Sequence, residues 1–297
     1  MKTTIGVQGY SVRDLLDADE KGTIKKLKQL GFEAYEALIL PRNAQFSYPA
    51  MIWSMDNLEE KAAMVLEAGF SIPSTHIIAD LENDYISADA MADALRKIHE
   101  AAGTKYFVFS ILFRTAEDAK AEGEYLRAVQ SLVKSDGLQI LYHNHDVEFE
   151  TICVDGEELT AMDYFLRFAG DDVLLELDIG WAGYIADEVQ TVQKYQDQIG
   201  VLHLKDFSAT ALRCGIDRDQ LSDDAFTPIG FGGIRTAEIM KMAETMPNYR
   251  SLAIIDQDRS TTPILQELEM GYHFLENLAP NWKANIDADH QRRSKKK

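Results

Sequence analysis

The stretch from Val173 to Asp206 reads VLLELDIGWAGYIADEVQTVQKYQDQIGVLHLKD, and its pattern decides the fold. It begins with a short apolar run that ends at Asp178 and continues into an amphipathic segment over Asp187–Tyr195. A second short apolar run follows at Val201–Leu204. A buried strand, a helix and another buried strand in this order indicate a parallel βαβ unit.

The same unit recurs along the chain. Short apolar runs predict eight strands, at Thr4–Gln8, Tyr35–Leu40, Ser71–His76, Tyr106–Ser110, Leu138–His143, Val173–Asp178, Val201–Leu204 and Leu252–Asp256. Amphipathic segments between them predict helices, several of which end at a glycine. Eight units in series favour an α/β fold, the (β/α)8 TIM barrel, over an open sheet. We assign residues 1–278 to a single barrel domain and residues 279–297 to a C-terminal tail.

The composition of the chain argues against some classes of binding partner. The chain has 297 residues and a formal net charge of −19, which repels nucleic acid phosphates and anionic membranes. It has two cysteines, too few for a disulfide framework, and no apolar run near the ~20 residues that span a bilayer. The first residues carry no charged leader before an apolar region. These features predict a cytoplasmic protein, with the basic run after Arg292 as a solvated tail.

Polar residues cluster at the predicted strand ends, where barrels of this kind build their active sites. The candidates are His143 and His145 after strand five, Asp178 at the end of strand six, His203 and Lys205 on strand seven, Asp256 on strand eight, Glu36 on strand two and His76 on strand three. Alternation along a strand places His143 and His145 on one face. A single histidine or capping aspartate is usually structural, but coincidence on adjacent strands favours a divalent-metal site. Imidazole and carboxylate together suit Mn²⁺, Fe²⁺, Co²⁺ or Zn²⁺ better than Mg²⁺.

A glycine-rich segment, Pro228–Gly233, precedes the seventh helix. Its backbone N–H groups can approach an anion at a helix N-terminus, or the segment can be a flexible loop, which we favour. Phe231 in this segment and Trp181 after strand six are candidates to exclude solvent or to stack on a sugar.

Several motifs, in order along the chain, resemble one family. They are Val7–Arg13 (VQGYSVR), Tyr142–Phe149 (YHNHDVEF), Leu177–Ala182 (LDIGWA), Leu202–Asp206 (LHLKD) and the turn Pro228–Ile234 (PIGFGGI). Together they resemble the sugar phosphate isomerase/epimerase-like proteins of the xylose isomerase-like TIM barrel superfamily. The YHNH segment is similar to that of a branch related to inosose dehydratases and to enzymes that process 3-keto-glycosides.

The resemblance implies a bound divalent metal, with manganese first and magnesium, cobalt, iron or zinc as alternatives. Family members hold it with Glu, Asp, His and Glu from late strands. The Asp and His correspond to Asp178 and His203, and the last Glu falls on Asp256, one methylene shorter. The first Glu falls on His143. Whether His143, His145 or Glu148 supplies the strand-five ligand stays open at this point.

The expected activity is a metal-dependent isomerase or epimerase that acts on a carbohydrate or keto-sugar through an enediolate. His145 is the expected base, and Glu148 and Lys205 are further catalytic candidates. Lys205 would hold a substrate oxygen; the alternative is a salt bridge with Asp206. The expected substrate-binding residues are Glu36, His76, Trp181 and Phe231.

Three alternatives remain. A lyase or dehydratase acting on an inosose or 3-keto-glycoside would use the same metal site. The changes at His143 and Asp256 allow a non-catalytic sugar-binding subunit. A DNA-repair endonuclease of the same superfamily is opposed by the charge of −19. The resemblance also implies a homo-oligomer, a dimer or tetramer, with a small carbohydrate as its other partner.

Overall fold

Eight parallel strands close into a barrel in the computed structural model, which describes residues 3–42, 50–78, 86–113, 115–214, 217–278 and 281–294. Named β1 to β8 in chain order, they span Thr4–Gln8, Ala34–Leu40, Ser74–Ile77, Tyr106–Phe109, Gln139–His143, Leu174–Asp178, Ile199–Leu204 and Leu252–Ile255. Each strand pairs with the next, and β8 pairs with β1. The predicted (β/α)8 TIM barrel is confirmed.

Helices follow the strands on the outside. The longer ones are Arg13–Gln29, Leu58–Glu67, Ala88–Ala102, Ala116–Val133, Ala161–Ala169, Glu188–Tyr195, Thr236–Ala243, Ile264–Glu276 and Trp282–Ser294. Ser87 caps the third of these by accepting the N–H of Ala90. Gly103 ends it with φ +73°, in line with the predicted glycine helix ends. Over the part of the chain that is described, no helix has both the length and the apolar character needed to cross a membrane.

The sequence pattern did not predict several short strands and helices. A strand at Ile52–Ser54 extends the sheet beside β2, and a hairpin joins Thr151–Val154 to Glu157–Thr160. A short helix, Ile179–Ile185, begins directly after β6. The first helix, Arg13–Gln29, runs across a kink at Asp19. Elements this short offer too few turns or alternations for a periodic signal.

The segment that we assign to a tail contains a helix, Trp282–Ser294, which packs against Thr236–Ala243. Asp289, 1% exposed, accepts the N–H of Ala237 in the first turn of that helix at 2.7 Å. A carboxylate at this position satisfies a free donor and suits the helix dipole. Arg293 also binds the main chain of the glycine-rich segment at Gly233 (3.2 Å). Residues 279, 280 and 295–297 lie outside the described residues, and the domain division stays a prediction.

The barrel interior is layered along the strand direction. Near the amino ends of the strands, inward positions hold a small apolar cluster of Ala34, Val108, Leu141, Leu174, Val201, Leu252 and Ile254. Because side chains alternate along a strand, residues two and four positions later also face inward. These positions carry Glu36, His143, Glu176, His203 and Asp256, and then His145, Asp178, Lys205 and Asp258. The sequence thus places an apolar plug below two polar layers at the carboxyl end.

Candidate metal centre at the carboxyl end of the barrel

A cleft of about 270 Å³ opens at the carboxyl end of the barrel. On or just after the strands, its lining includes His76, His143, His145, His203, Lys205 and Asp256. The segments that follow the strands add Trp181, Arg218, Phe226 and Arg259. The structure therefore brings most of the predicted site residues to one place, although the strands that carry them are far apart in sequence.

Three of the four predicted metal ligands converge beneath this cleft, and we call Asp178, His203 and Asp256 the outer group. His203 Nδ1 lies 3.6 Å from Asp178 Oδ2 and 3.7 Å from Asp256 Oδ2. Asp178 Oδ1 accepts the N–H of Trp181 at 2.8 Å and so caps the helix that follows β6. Asp178 Oδ2 and His203 Nδ1 are buried and have no hydrogen-bond partner among the described residues.

Lys205 neutralises part of the carboxylate charge around the outer group. Its Nζ lies 2.6 Å from Asp256 Oδ2 and 2.5 Å from Asp258 Oδ1. Burial lowers the pKa of Lys205, but the two aspartates outweigh burial and raise it, so the amine stays protonated. Burial likewise raises the pKa of Asp256, and the nearby Lys205 ammonium outweighs this and lowers it to about 2. The alternative salt bridge between Lys205 and Asp206 is wrong, because neighbouring residues on an extended chain face opposite ways.

Asp206 instead organises the glycine-rich segment. Its carboxylate accepts the N–H groups of Gly230, Gly232 and Ile234 at 2.9–3.0 Å. A Cβ on Gly232 would lie 2.3 Å from Asp206 Oδ1, so no side chain fits there. The segment is therefore a cup of N–H groups around an internal anion, and the favoured interpretation as a flexible loop is wrong.

Phe231 lies on the outer side of this cup. Its side chain is 51% exposed and is not among the residues that line the cleft. The backbone N–H groups on either side of it face Asp206, which leaves the side chain directed toward solvent. The prediction that Phe231 contacts the substrate is therefore not supported by its position.

A second cluster, the inner group, shares His203 with the outer group and comprises His76, His143, Glu176 and His203. Glu176 Oε2 lies 2.7 Å from His76 Nε2 and 3.2 Å from His143 Nδ1. Glu36 is beside the group, with Oε1 3.1 Å from His76 Nε2 and 3.3 Å from His203 Nε2. His143 thus faces Glu176, and not the outer group to which the sequence assigned it.

The two glutamates at the inner group are fully buried. Glu36 accepts hydrogen bonds from Gln8 (2.8 Å) and from Ser74, and it does not line the cleft. Its predicted role in substrate binding is therefore wrong for this arrangement, since it lies one layer below the mouth. Burial, and then the charge of Glu36, raise the pKa of Glu176 to about 7. Burial lowers the pKa of His76, but both glutamates outweigh it and raise the value to about 9.

His145 lies at the cleft wall, 6.4 Å between ring centroids from Trp181. Burial, and then the positive charge of Arg218, lower the pKa of His145 to about 3, so its ring is neutral at pH 7. Glu148 lies beneath it and accepts the His145 backbone N–H at 2.9 Å. Because Glu148 is fully buried and outside the cleft lining, it positions His145 and does not contact substrate.

Hydrogen bonding around Glu148 fits a protonated side chain. Tyr142 Oη lies near the carbonyl of Ile111 and 2.8 Å from Glu148 Oε1, but it has only one proton to donate. Both contacts are satisfied when Tyr142 donates to Ile111 and a protonated Glu148 donates to Tyr142. Burial raises the pKa of Glu148 to about 7, in agreement.

We expect Glu148→Gln, which mimics this protonated form, to gain stability relative to wild type as the pH rises. The folded state binds the Glu148 proton more tightly, so wild-type stability falls between the ordinary pKa of 4.5 and about 7. The gain should approach about 3 kcal/mol by pH 8. Urea unfolding at pH 5 and pH 8 measures it, with the exposed Glu150→Gln as control. A stability difference that is the same at both pH values would contradict the assignment.

Sequence reasoning missed several residues at the site, among them Glu176, Asp258, Arg218 and Arg259. Glu176 had a usable signal, because it lies two residues before Asp178 in an otherwise apolar strand and must share its face. Asp258 has the same relation to Asp256. Arg218 has no such signal, since it reaches the cleft from a long loop, where it contacts Asp146 (3.0 Å) and lies over the Trp181 ring.

Solved structures of similar fold cover nearly the whole chain. A sugar phosphate isomerase/epimerase from Parabacteroides distasonis is 20% identical, with TM-score 0.74, over 95% of this chain and 98% of that one. The probable 3-DHS dehydratase AsbF, involved in petrobactin synthesis, from Bacillus anthracis is 15% identical, with TM-score 0.65, over 93% of this chain and 99% of that one. A xylose isomerase-like TIM barrel protein from Mycobacterium smegmatis in complex with magnesium is 14% identical, with TM-score 0.64, over 96% and 97%.

No protein-family model and no curated protein sequence matches the chain. At these identities the solved structures establish the fold and leave the reaction open. The chain has the fold of the sugar phosphate isomerase/epimerase and xylose isomerase-like TIM barrel structures, in agreement with the resemblance of its motifs.

Proposed function

We propose that the protein is a divalent-metal-dependent isomerase or epimerase that acts on a carbohydrate or keto-sugar through an enediolate. The observation that carries the proposal is the outer group, with two buried unpartnered ligand atoms beneath a cleft that also holds a neutral histidine. The neighbours named as isomerase/epimerase, dehydratase and D-tagatose 3-epimerase-like protein support this general class of chemistry.

The donor set fits a divalent cation. Two ligand atoms on a tetrahedral ion with bonds of ~2.1 Å lie ~3.4 Å apart, close to the 3.6 and 3.7 Å from His203 Nδ1 to the two aspartates. One nitrogen and two carboxylate oxygens suit manganese first, with iron, cobalt, zinc or magnesium as alternatives. Asp178, His203 and Asp256 would hold the ion, which would supply a Lewis acid for a substrate carbonyl and an adjacent hydroxyl.

The other residues at the cleft have separate roles in the proposed reaction. His145 removes the proton from the carbon next to the carbonyl, because it lines the cleft, has a neutral ring with a free lone pair and lies outside both carboxylate clusters. Its low pKa makes it a weak base, so this step would depend on acidification of that carbon by the metal-held carbonyl. Lys205 is protonated, so it serves as a hydrogen-bond donor to a substrate oxygen and not as a base. Trp181 packs against Phe207 and Phe226 and forms an apolar wall that limits access of water.

Exchange of the α-proton with solvent tests the proposal before the product is known. The protein loaded with Mn²⁺ is incubated in D₂O with a panel of ketoses, inososes and 3-keto-glycosides, and deuterium at the carbon next to the carbonyl is measured by NMR. We expect exchange on at least one compound, and loss of exchange after chelation with recovery on adding Mn²⁺.

The products separate the remaining candidates. Exchange with every hydroxyl retained supports the isomerase or epimerase. Exchange followed by loss of a β-hydroxyl or β-glycosyl group supports the lyase or dehydratase. Bound metal with no exchange on any compound contradicts the proposal and favours a sugar-binding subunit.

A further inference from the structure

We infer that the inner group binds a second divalent cation, held by His76, His143 and Glu176 and sharing His203 with the outer group. This site goes beyond the proposed function, because His76, His143 and Glu176 have no role in the proposed reaction, although His76 and His143 also line the cleft. Glu36 lies close enough to contribute a carboxylate oxygen.

Three imidazole nitrogens converge on two carboxylate oxygens in this group. His76 Nε2 lies 2.7 Å from Glu176 Oε2 and 3.1 Å from Glu36 Oε1. His143 Nδ1 lies 3.2 Å from the same oxygen of Glu176, and His203 Nε2 lies 3.3 Å from the same oxygen of Glu36. Ligand atoms on one ion with ~2.1 Å bonds lie ~3.0–3.4 Å apart, depending on the geometry. Three of these four distances fall in this range, and the 2.7 Å contact between His76 and Glu176 is a hydrogen bond that an ion would have to replace.

A network of ion pairs alone leaves atoms of this group without partners. The single N–H on His76 Nε2 can donate a hydrogen bond to only one of the two carboxylates that face it. Glu176 Oε1 and His203 Nε2 are buried and have no hydrogen-bond partner among the described residues. Buried polar atoms are rarely left in this state. A cation among the imidazoles and carboxylates satisfies several of them at once.

His203 joins the two groups through its two ring nitrogens. Nδ1 faces Asp178 and Asp256, and Nε2 faces Glu36 and Glu176 (3.3 and 3.9 Å). If both nitrogens bound metal, the ring would release its N–H protons to solvent and would serve both sites as an imidazolate. The inner group offers up to three nitrogens and the outer group one, so the inner group should prefer Zn²⁺ or Co²⁺ and the outer group Mn²⁺ or Mg²⁺.

Cobalt titration of the full chain tests this site. The protein is stripped with chelator, dialysed and titrated with Co²⁺, and bound cobalt is measured by its absorption bands and by mass spectrometry. Glu176→Gln alters only the inner group, Asp178→Asn only the outer group, and His203→Ala both. Circular dichroism checks folding, and His76→Gln replaces Glu176→Gln if that variant does not fold.

We expect about two Co²⁺ per chain in wild type, about one in each of the first two variants with different absorption bands, and none at matched concentrations in His203→Ala. One Co²⁺ in wild type that Glu176→Gln keeps and Asp178→Asn loses would overturn the second site and leave the proposed function standing. One Co²⁺ that Asp178→Asn keeps and Glu176→Gln loses would support the inner site and contradict the proposed function. A wild type that binds no Co²⁺ would overturn both.

Discussion

Replacing His145 by glutamine is expected to slow α-proton exchange by about 10²- to 10⁴-fold, the range that a positioned general base contributes. His145 lies at the cleft wall, outside both metal groups, and burial and Arg218 keep its ring neutral. Glutamine keeps the backbone N–H that binds Glu148, so the support beneath the residue should persist. The bound metal and the thermal midpoint should therefore change little.

The measurement is the rate of deuterium incorporation under Mn²⁺-saturated conditions, alongside the metal content of each preparation. His273→Gln is the matched control, because His273 is exposed on the last barrel helix and far along the chain from the strand ends. An exchange rate for His145→Gln within twofold of wild type would assign the base elsewhere. Loss of metal in this variant would indicate that His145 is the strand-five ligand.

Asp178→Asn is expected to remove the outer cation and to lower exchange by about 10²- to 10³-fold, the loss seen when one group that stabilises a developing oxyanion is removed. Asparagine keeps the oxygen that caps the helix after β6 through the Trp181 N–H. It replaces the unpartnered Oδ2, which faces His203, by an amide that binds divalent ions poorly. We therefore expect the variant to fold but not to bind the outer cation.

Asp187→Asn gives a close comparison. Asp187 also caps a helix, by accepting the Gln190 N–H at 3.0 Å, but it lies outside both metal groups. We expect this variant to keep its metal and its exchange rate. If Asp178→Asn also kept both, Asp178 would be a helix cap only, and the outer group would not be a metal centre.

The barrel and the outer group follow from local sequence rules. Alternation and strand ends were enough to place Asp178 and His203 at the same end of a parallel sheet. The same rule, applied to every inward position, would have found Glu176. It was overlooked because a charged residue inside an apolar run contributes little to a strand pattern.

Other features depended on tertiary contacts. Lys205 and Asp206 are neighbours in sequence. Sequence alone did not reveal that Lys205 pairs with Asp256, just after β8, or that Asp206 accepts N–H groups of the glycine-rich segment. The contacts of Arg218 and the docking of Trp282–Ser294 join segments with no periodic relation. The outer group and the inner group could be distinguished only from the distances, which show which ring nitrogen of His203 faces which carboxylates.

The cup formed by Gly230, Gly232 and Ile234 bears on whether the proposed sugar substrate carries a phosphate. Asp206 is covalently part of the chain, so it competes for these N–H groups at an effective concentration of roughly millimolar or higher. A free phosphate ester would have to displace this resident carboxylate and leave it buried without donors. The backbone N–H groups that could bind a phosphate are thus already bonded to Asp206. A negatively charged group on a substrate would instead have to bind Arg218 or Arg259 at the cleft.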